Sequence, residues 1–260
     1  MIAEPRALAA DKTALFEYVL RLADTSLVLA QRLGAWVGHA PAIEEDLGLA
    51  NTALDLLGQA RLLLAYAGET EGAGRNEDVL AFLREEGEFR NIALAEQPNG
   101  DFADTIVRQF LIDAYQVELY DRLQGSVDTQ LAAIAAKAVK ETRYHLRYSR
   151  GWVVRLGDGT SESHARMQGA IDRLWKYTAE LVTADELDSR LHAAGVAPDH
   201  EAVVTAWRTR AREAFSEATL DMPAGASYAW FGKQGRHTES LGQLLAEMQY
   251  LYRGHPGAAW

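Results

Sequence analysis

The chain has 260 residues, with 26 Lys and Arg against 37 Asp and Glu; the resulting charge of −11 excludes general binding to a phosphate backbone. It holds 44 Ala and 33 Leu against 35 Ile, Val and Thr together, which favours helix, because β-branched side chains crowd the preceding helical turn. It has no cysteine, which removes disulfides, iron–sulfur ligation, thiol catalysis and Cys-based zinc sites.

Glycine, proline and capping residues divide the chain into helices. The first is expected from Lys12 to Val37, with Phe16, Leu20, Leu27 and Leu33 on its apolar side and residues 1–12 frayed. Pro41 suits the first turn of a second helix, which should stop at Gly68. Asn76 is placed to cap a shorter helix through Phe89, and Pro98-Asn99-Gly100-Asp101 is a turn. Further helices are expected over Asp104–Leu123, Thr129–Leu156, Glu162–Val182, Asp185–Ala194, Glu201–Ala218 and Glu239–Arg253. The segment Asp221–His237 has too many glycines and aromatics for helix. Neither a leader with an apolar core nor a run of about 18 apolar residues is visible, so a cytoplasmic protein is expected. Two long hairpins joined by a crossover outline an all-α, ferritin-like four-helix bundle with additional C-terminal helices, in one domain.

Bundles of this kind hold two iron ions with one carboxylate from each of two helices and a Glu-x-x-His pair from each of the others. The i,i+3 spacing stacks both side chains on one face, so that they reach the same metals. The inward stripe of the second helix is read as Leu47, Asn51, Leu54, Asp55, Gly58 and Leu62. That of the fourth is Ile106, Phe110, Asp113, Val117 and Tyr120; the fifth offers Ile134, Ala138, Thr142, His145, Ser149 and Trp152. Antiparallel symmetry sets Asp24 level with Asp55. The frame Asp24, Asp55, Gly58, Asp113, Thr142 and His145 is therefore incomplete, since Gly58 supplies nothing and Thr142 is neutral where a bridging carboxylate is needed. The expected outcome is no metal and no catalytic residue in this chain, with Asp55, Asp113 and His145 satisfying one another or a nearby cation. Glu141, four residues before His145, is another potential partner for it.

Several long strings carry a resemblance: Leu27–Ala40, Asp46–Arg61, Glu96–Arg108 (EQPNGDFADTIVR), Leu131–Leu156 (containing KETRYHLRYSRGW) and His237–Tyr250 (HTESLGQLLAEMQY). Together they make the chain similar to the structural, non-catalytic subunits of bacterial ring-1,2-phenylacetyl-CoA epoxidases, the multicomponent monooxygenases of aerobic phenylacetate breakdown. The resemblance implies a homologous catalytic oxygenase subunit with a complete di-iron set as partner, further subunits of the complex, and phenylacetyl-CoA bound by the assembly. It also implies a reductase that uses NADPH, flavin and an iron–sulfur cluster. In the catalytic relatives Glu-x-x-His stands where this chain has Asp55-Leu56-Leu57-Gly58 and Thr142-Arg143-Tyr144-His145, so no catalytic residue carries over.

Arg143, Tyr144, Arg147, Tyr148 and Arg150 form the candidate partner interface, because Arg and Tyr anchor protein contacts. Gly232-Lys233-Gln234-Gly235-Arg236-His237 is read as a surface loop or a contact for CoA phosphates or a partner, and Tyr228–Phe231 as loop packing. Self-association of the isolated chain is a further expectation. Two other functions compete: an autonomous di-iron oxidase or iron-handling protein, and a helical binding or regulatory protein with no oxygenase partner.

Overall fold

The computed structural model describes residues 5–225 and 231–258, with side chains from residue 12 onward. Helix α1 (Pro5–Gly34) and α2 (Ile43–Glu71) form the first long hairpin. A crossover carrying α3 (Glu77–Phe82) and a 3-10 turn (Glu86–Glu88) leads to the second, α4 (Phe102–Leu123) and α5 (Thr129–Gly157). One buried apolar cluster runs through both hairpins, as the ferritin-like outline requires.

Local chemistry sets most boundaries. Asn76 accepts from Val79 N at 2.9 Å to start α3, and Asp101 accepts from Ala103 N and Asp104 N to start α4 in a reciprocal capping box. Asp128 accepts from Leu131 N at 2.8 Å at the start of α5. Helix α1 begins at Pro5, ahead of the expected Lys12. Gly68 does not stop α2: a β-carbon there would lie 2.1 Å from the Arg75 carbonyl oxygen, so this glycine permits a close chain approach inside the helix. The left-handed stop is Gly72, at φ 72°, whose N–H donates to Gly68 O. Helix α3 is shorter than expected and ends before Arg84, whose side chain turns inward to Asp24 and to the carbonyls of Leu80 and Glu88.

The C-terminal third covers the second hairpin with two of its helices and reaches the first hairpin and the crossover with others. Helix α6 (Ser161–Leu174) passes through a 3-10 turn (Trp175–Thr178) into α7 (Ala179–Val182), so the helix expected over Glu162–Val182 is interrupted. Thr160 caps α6, accepting from Ser163 N at 3.1 Å. Helices α8 (Glu186–Ala193) and α9 (His200–Glu217) follow, capped by Asp185 and Asp199. The last expected helix is divided into α10 (Glu239–Met248) and α11 (Tyr250–Gly254) at Gln249, whose buried carboxamide donates to the carbonyls of Ala81 and Arg84. Trp207 of α9 donates to Leu111 O at 3.0 Å and stacks on Trp175, with Phe215 and Phe110 completing the aromatic cluster. Helix α4 is consequently buried nearly all round, by the bundle on one side and by α6 and α9 on the other.

Candidate functional site

The contacts between α2 and α5 set an antiparallel register. Gly48 lies under the Tyr148 ring, Asp55 is level with His145, and Gln59 with Glu141. His145 is fully buried and its Nε2 donates to Asp55 Oδ2 at 3.0 Å, while the Asp55 side chain is 41% exposed. Glu141 does not turn to His145; it accepts from Gln59 at 2.9 Å. One turn away, Asp113 of α4 accepts from Gln109 at 2.7 Å on one oxygen and from Ser149 of α5 at 2.7 Å on the other. Burial pushes the Asp113 carboxyl up to about 6, against the opposing pull of His145, Ser149 and Gln109.

The remaining frame positions are occupied or blank. Asp24 is wholly buried but engaged elsewhere: it pairs with Arg84 from the crossover and accepts from Arg90 N at 2.8 Å. Thr142 donates to Ala138 O at 2.9 Å within its own helix. A β-carbon at Gly58 would meet nothing within 4 Å. This donor set does not fit a di-iron centre. Both Asp113 oxygens accept hydrogen bonds, His145 keeps only Nδ1 without a protein partner, and no third carboxylate or imidazole converges on them among the described residues. The expectation that buried polar groups satisfy one another describes Asp55 and His145; Asp113 is served by an amide and a hydroxyl, and among the described residues no Lys or Arg bonds to it.

The stripe expected to face inward on α2 faces the wrong way. Leu47 is 60% and Leu54 66% exposed, while the buried side is Leu49, Ala53, Leu56, Ala60, Leu63 and Ala67. The helix carries leucines on two faces, so periodicity alone does not say which is the core. The second face is an apolar surface of Ile43, Leu47, Leu54, Leu57 and Leu62, which sequence reasoning misses; the surplus of leucines over one helical face is its only signal. The α4 stripe is buried throughout, and on α5 Ala138, Thr142, His145 and Ser149 are buried as expected.

The residues singled out on α5 divide into three uses. Arg143 pairs with Asp121, and Arg150 with Glu217 of α9. Tyr148 is half-buried and donates to Glu45 at 2.6 Å, beside Trp152, which donates to the same carboxylate at 2.7 Å; these bonds tie α5 to the start of α2. Tyr144, one turn before Tyr148 on the face that packs against α2, is exposed, with Arg147 over its ring.

The loop read as a surface loop or a contact for CoA phosphates or a partner is built into the fold. Lys233 binds Thr183 O and Asp188, its N–H donates to Glu180, and Gly232 and Gly235 pass so close to Asn91 O and Gly87 O that a β-carbon would lie 2.3 and 2.2 Å away. His237 sits between the Glu96 carboxylate, at 2.9 Å from Nδ1, and Phe89 O, at 3.0 Å from Nε2. Glu96 also accepts from Asn91 and Thr238 N. Of the aromatics in that segment, Phe231 is bridged to Arg236, and residues 228–230 lie outside the described residues.

Comparison with known proteins identifies the family. The profile of the phenylacetic acid catabolic protein family matches residues 1–260. The chain is 57% identical over 243 residues to the C subunit of 1,2-phenylacetyl-CoA epoxidase from Escherichia coli (strain K12), covering 94% of this chain and 98% of that protein. The chain belongs to the phenylacetic acid catabolic protein family.

Proposed function

We propose that this chain is the non-catalytic subunit of a bacterial phenylacetyl-CoA epoxidase. It binds and supports a homologous catalytic oxygenase subunit, which carries the di-iron centre. A reductase delivers electrons to that centre from NADPH through flavin and an iron–sulfur cluster. The complex works in the cytoplasm; among the described residues no helix is long and apolar enough to cross a membrane.

The observation that carries this reading is the pairing of an engaged interior with an unpartnered apolar helix face. The positions that would hold iron are blank or bonded to other protein groups, which favours a supporting role over an iron centre in this chain. Ile43, Leu47, Leu54, Leu57 and Leu62 meanwhile turn outward along most of α2, with Tyr144 of α5 beside them. A second helical bundle of related shape would bury that face, and its large apolar and aromatic side chains are the types that dominate protein–protein contacts.

The test is co-expression with the catalytic subunit, followed by gel filtration and metal analysis of the complex and of this chain alone. The expected result is a stable complex whose iron matches the copies of the partner. The double change Leu47→Glu and Leu54→Glu should abolish co-elution while leaving the helical circular-dichroism signal unchanged, since both side chains are solvated in the isolated chain. About two irons bound per copy of the isolated chain would overturn the assignment in favour of an autonomous di-iron protein. Failure to associate with any oxygenase subunit would overturn it in favour of an independent helical binding protein.

A further inference from the structure

On the side of α1 and α4 away from α2, a cavity opens toward the segment that carries α7, α8 and the start of α9. It is partly enclosed by these elements and opens to solvent at its mouth. Its walls combine two kinds of surface. Leu22, Ile112, Leu119 and Val203 make it apolar, while Tyr18 of α1 and Tyr115, Gln116 and Tyr120 of α4 bring three phenols and a carboxamide to the same space. Gln116 and Tyr120 are almost wholly buried, yet the Gln116 Oε1 and the Tyr120 hydroxyl have no hydrogen-bond partner in the protein. The Ser26 hydroxyl is near enough to Tyr120 to draw its pKa down, but the two do not meet in hydrogen-bonding geometry. Buried polar groups without partners cost roughly 1–3 kcal/mol each, so an unpaired carboxamide oxygen one helical turn from an unpaired phenol is not what packing alone selects.

The charged residues at the rim define what the cavity accepts. Arg21 is bound by Asp185 and Asp188, and Lys233 by Asp188 and Thr183 O. Glu180 accepts from the N–H groups of Ala93 and Lys233. Burial holds His200 below its ordinary value, towards its neutral form, and raises the tyrosines, with Tyr120 at about 12, so they stay phenols. An anion entering here would find both cations already engaged. A cation would have to compete with Arg21 and Lys233 for the same carboxylates.

We infer that this cavity is a binding site for a small neutral molecule with a ring-sized apolar body and a hydroxyl group, held by the carboxamide of Gln116 and the phenol of Tyr120. The apolar walls take the ring, and the carboxamide and phenol between them offer a donor and an acceptor to the hydroxyl. The site is separate from the Asp55–His145 pair and from the exposed α2 face, and it does not depend on the epoxidase reading.

The test uses the full chain and two probes that differ by one hydroxyl, benzyl alcohol and toluene, titrated by calorimetry or ligand-observed NMR. Saturable binding of both is expected, with benzyl alcohol the tighter. Gln116→Leu, which keeps the volume and removes the amide, should weaken benzyl alcohol by about tenfold, the equivalent of one hydrogen bond, and leave toluene unchanged. Circular dichroism and a melting curve show whether the variant is folded; should it not be, Tyr120→Phe is expected to give the same selective loss. Absence of saturable binding to the natural chain would overturn the proposal. So would an unchanged preference for benzyl alcohol in a folded variant, or crystals soaked with benzyl alcohol that show only ordered water between Gln116 and Tyr120.

Discussion

Asp113 and His237 are both buried titratable groups whose contribution to stability falls as pH rises, and mutation tells the two apart. Asp113 has its carboxyl raised to about 6 by burial. Its contribution is therefore fully present below the unfolded value near pH 4 and is lost as pH rises through about 6. At about 1.4 kcal/mol per unit, the loss reaches roughly 3 kcal/mol by neutral pH. Asp113→Asn cannot ionise, and the Ser149 hydroxyl can rotate to accept from the new amide. Urea unfolding should show the Asn variant gaining on the natural chain between pH 4 and pH 7.5; a constant difference would refute the argument. At His237 both ring nitrogens face acceptors, so the imidazolium is the form that fits, and Glu96 holds its pKa up against burial. This stabilisation is complete below about 6.5 and fades as pH rises through the raised folded value. His237→Leu should cost about 3–5 kcal/mol near pH 6, because Glu96 is left buried without its counter-ion, and less at pH 9.

At the level of elements, how much is legible in the sequence depends on how many faces each helix has. Helix α5 has one apolar face interrupted by Thr142, His145 and Ser149, and the expected burial of those residues is what the structure shows. Helix α2 has two, and its periodicity points to the wrong one. Gly68 looks like a stop because glycine usually marks a terminus, whereas here a neighbouring carbonyl needs the space. Gly68→Ala should therefore destabilise by roughly 1–3 kcal/mol through overpacking, measurable by thermal unfolding, although alanine is the better helix former. A capping signal works where a single side chain decides the end, as at Asn76. Such signals fail at Arg84 and Gln249, where long-range partners end the helix: Asp24 lies 60 residues from Arg84, and Ala81 168 from Gln249. The same distance hides the Glu96–His237 pair, 141 residues apart; the strings EQPNG and HTES carry family likeness without showing that they touch.

For the molecule as a whole, the C-terminal third completes the bundle by covering α4. Trp207 links the two parts with an indole hydrogen bond to Leu111 O and a stack on Trp175. Trp207→Ala should cost about 3–5 kcal/mol and lower the melting temperature of the whole chain in one transition, because no separate core lies beneath it. A first, partial transition confined to α9 would contradict that. The sheathing of α4 also has a consequence in time. Its backbone amides are cut off from water by two layers that meet only once residues up to Glu217 are in place. Deuterium should therefore enter α4 last of all the helices, by global unfolding alone, while the outward side of α2 opens locally. On the ribosome the second hairpin must wait, half covered, until α9 emerges. That interval, more than any step in the finished fold, is when this chain most needs protection from aggregation.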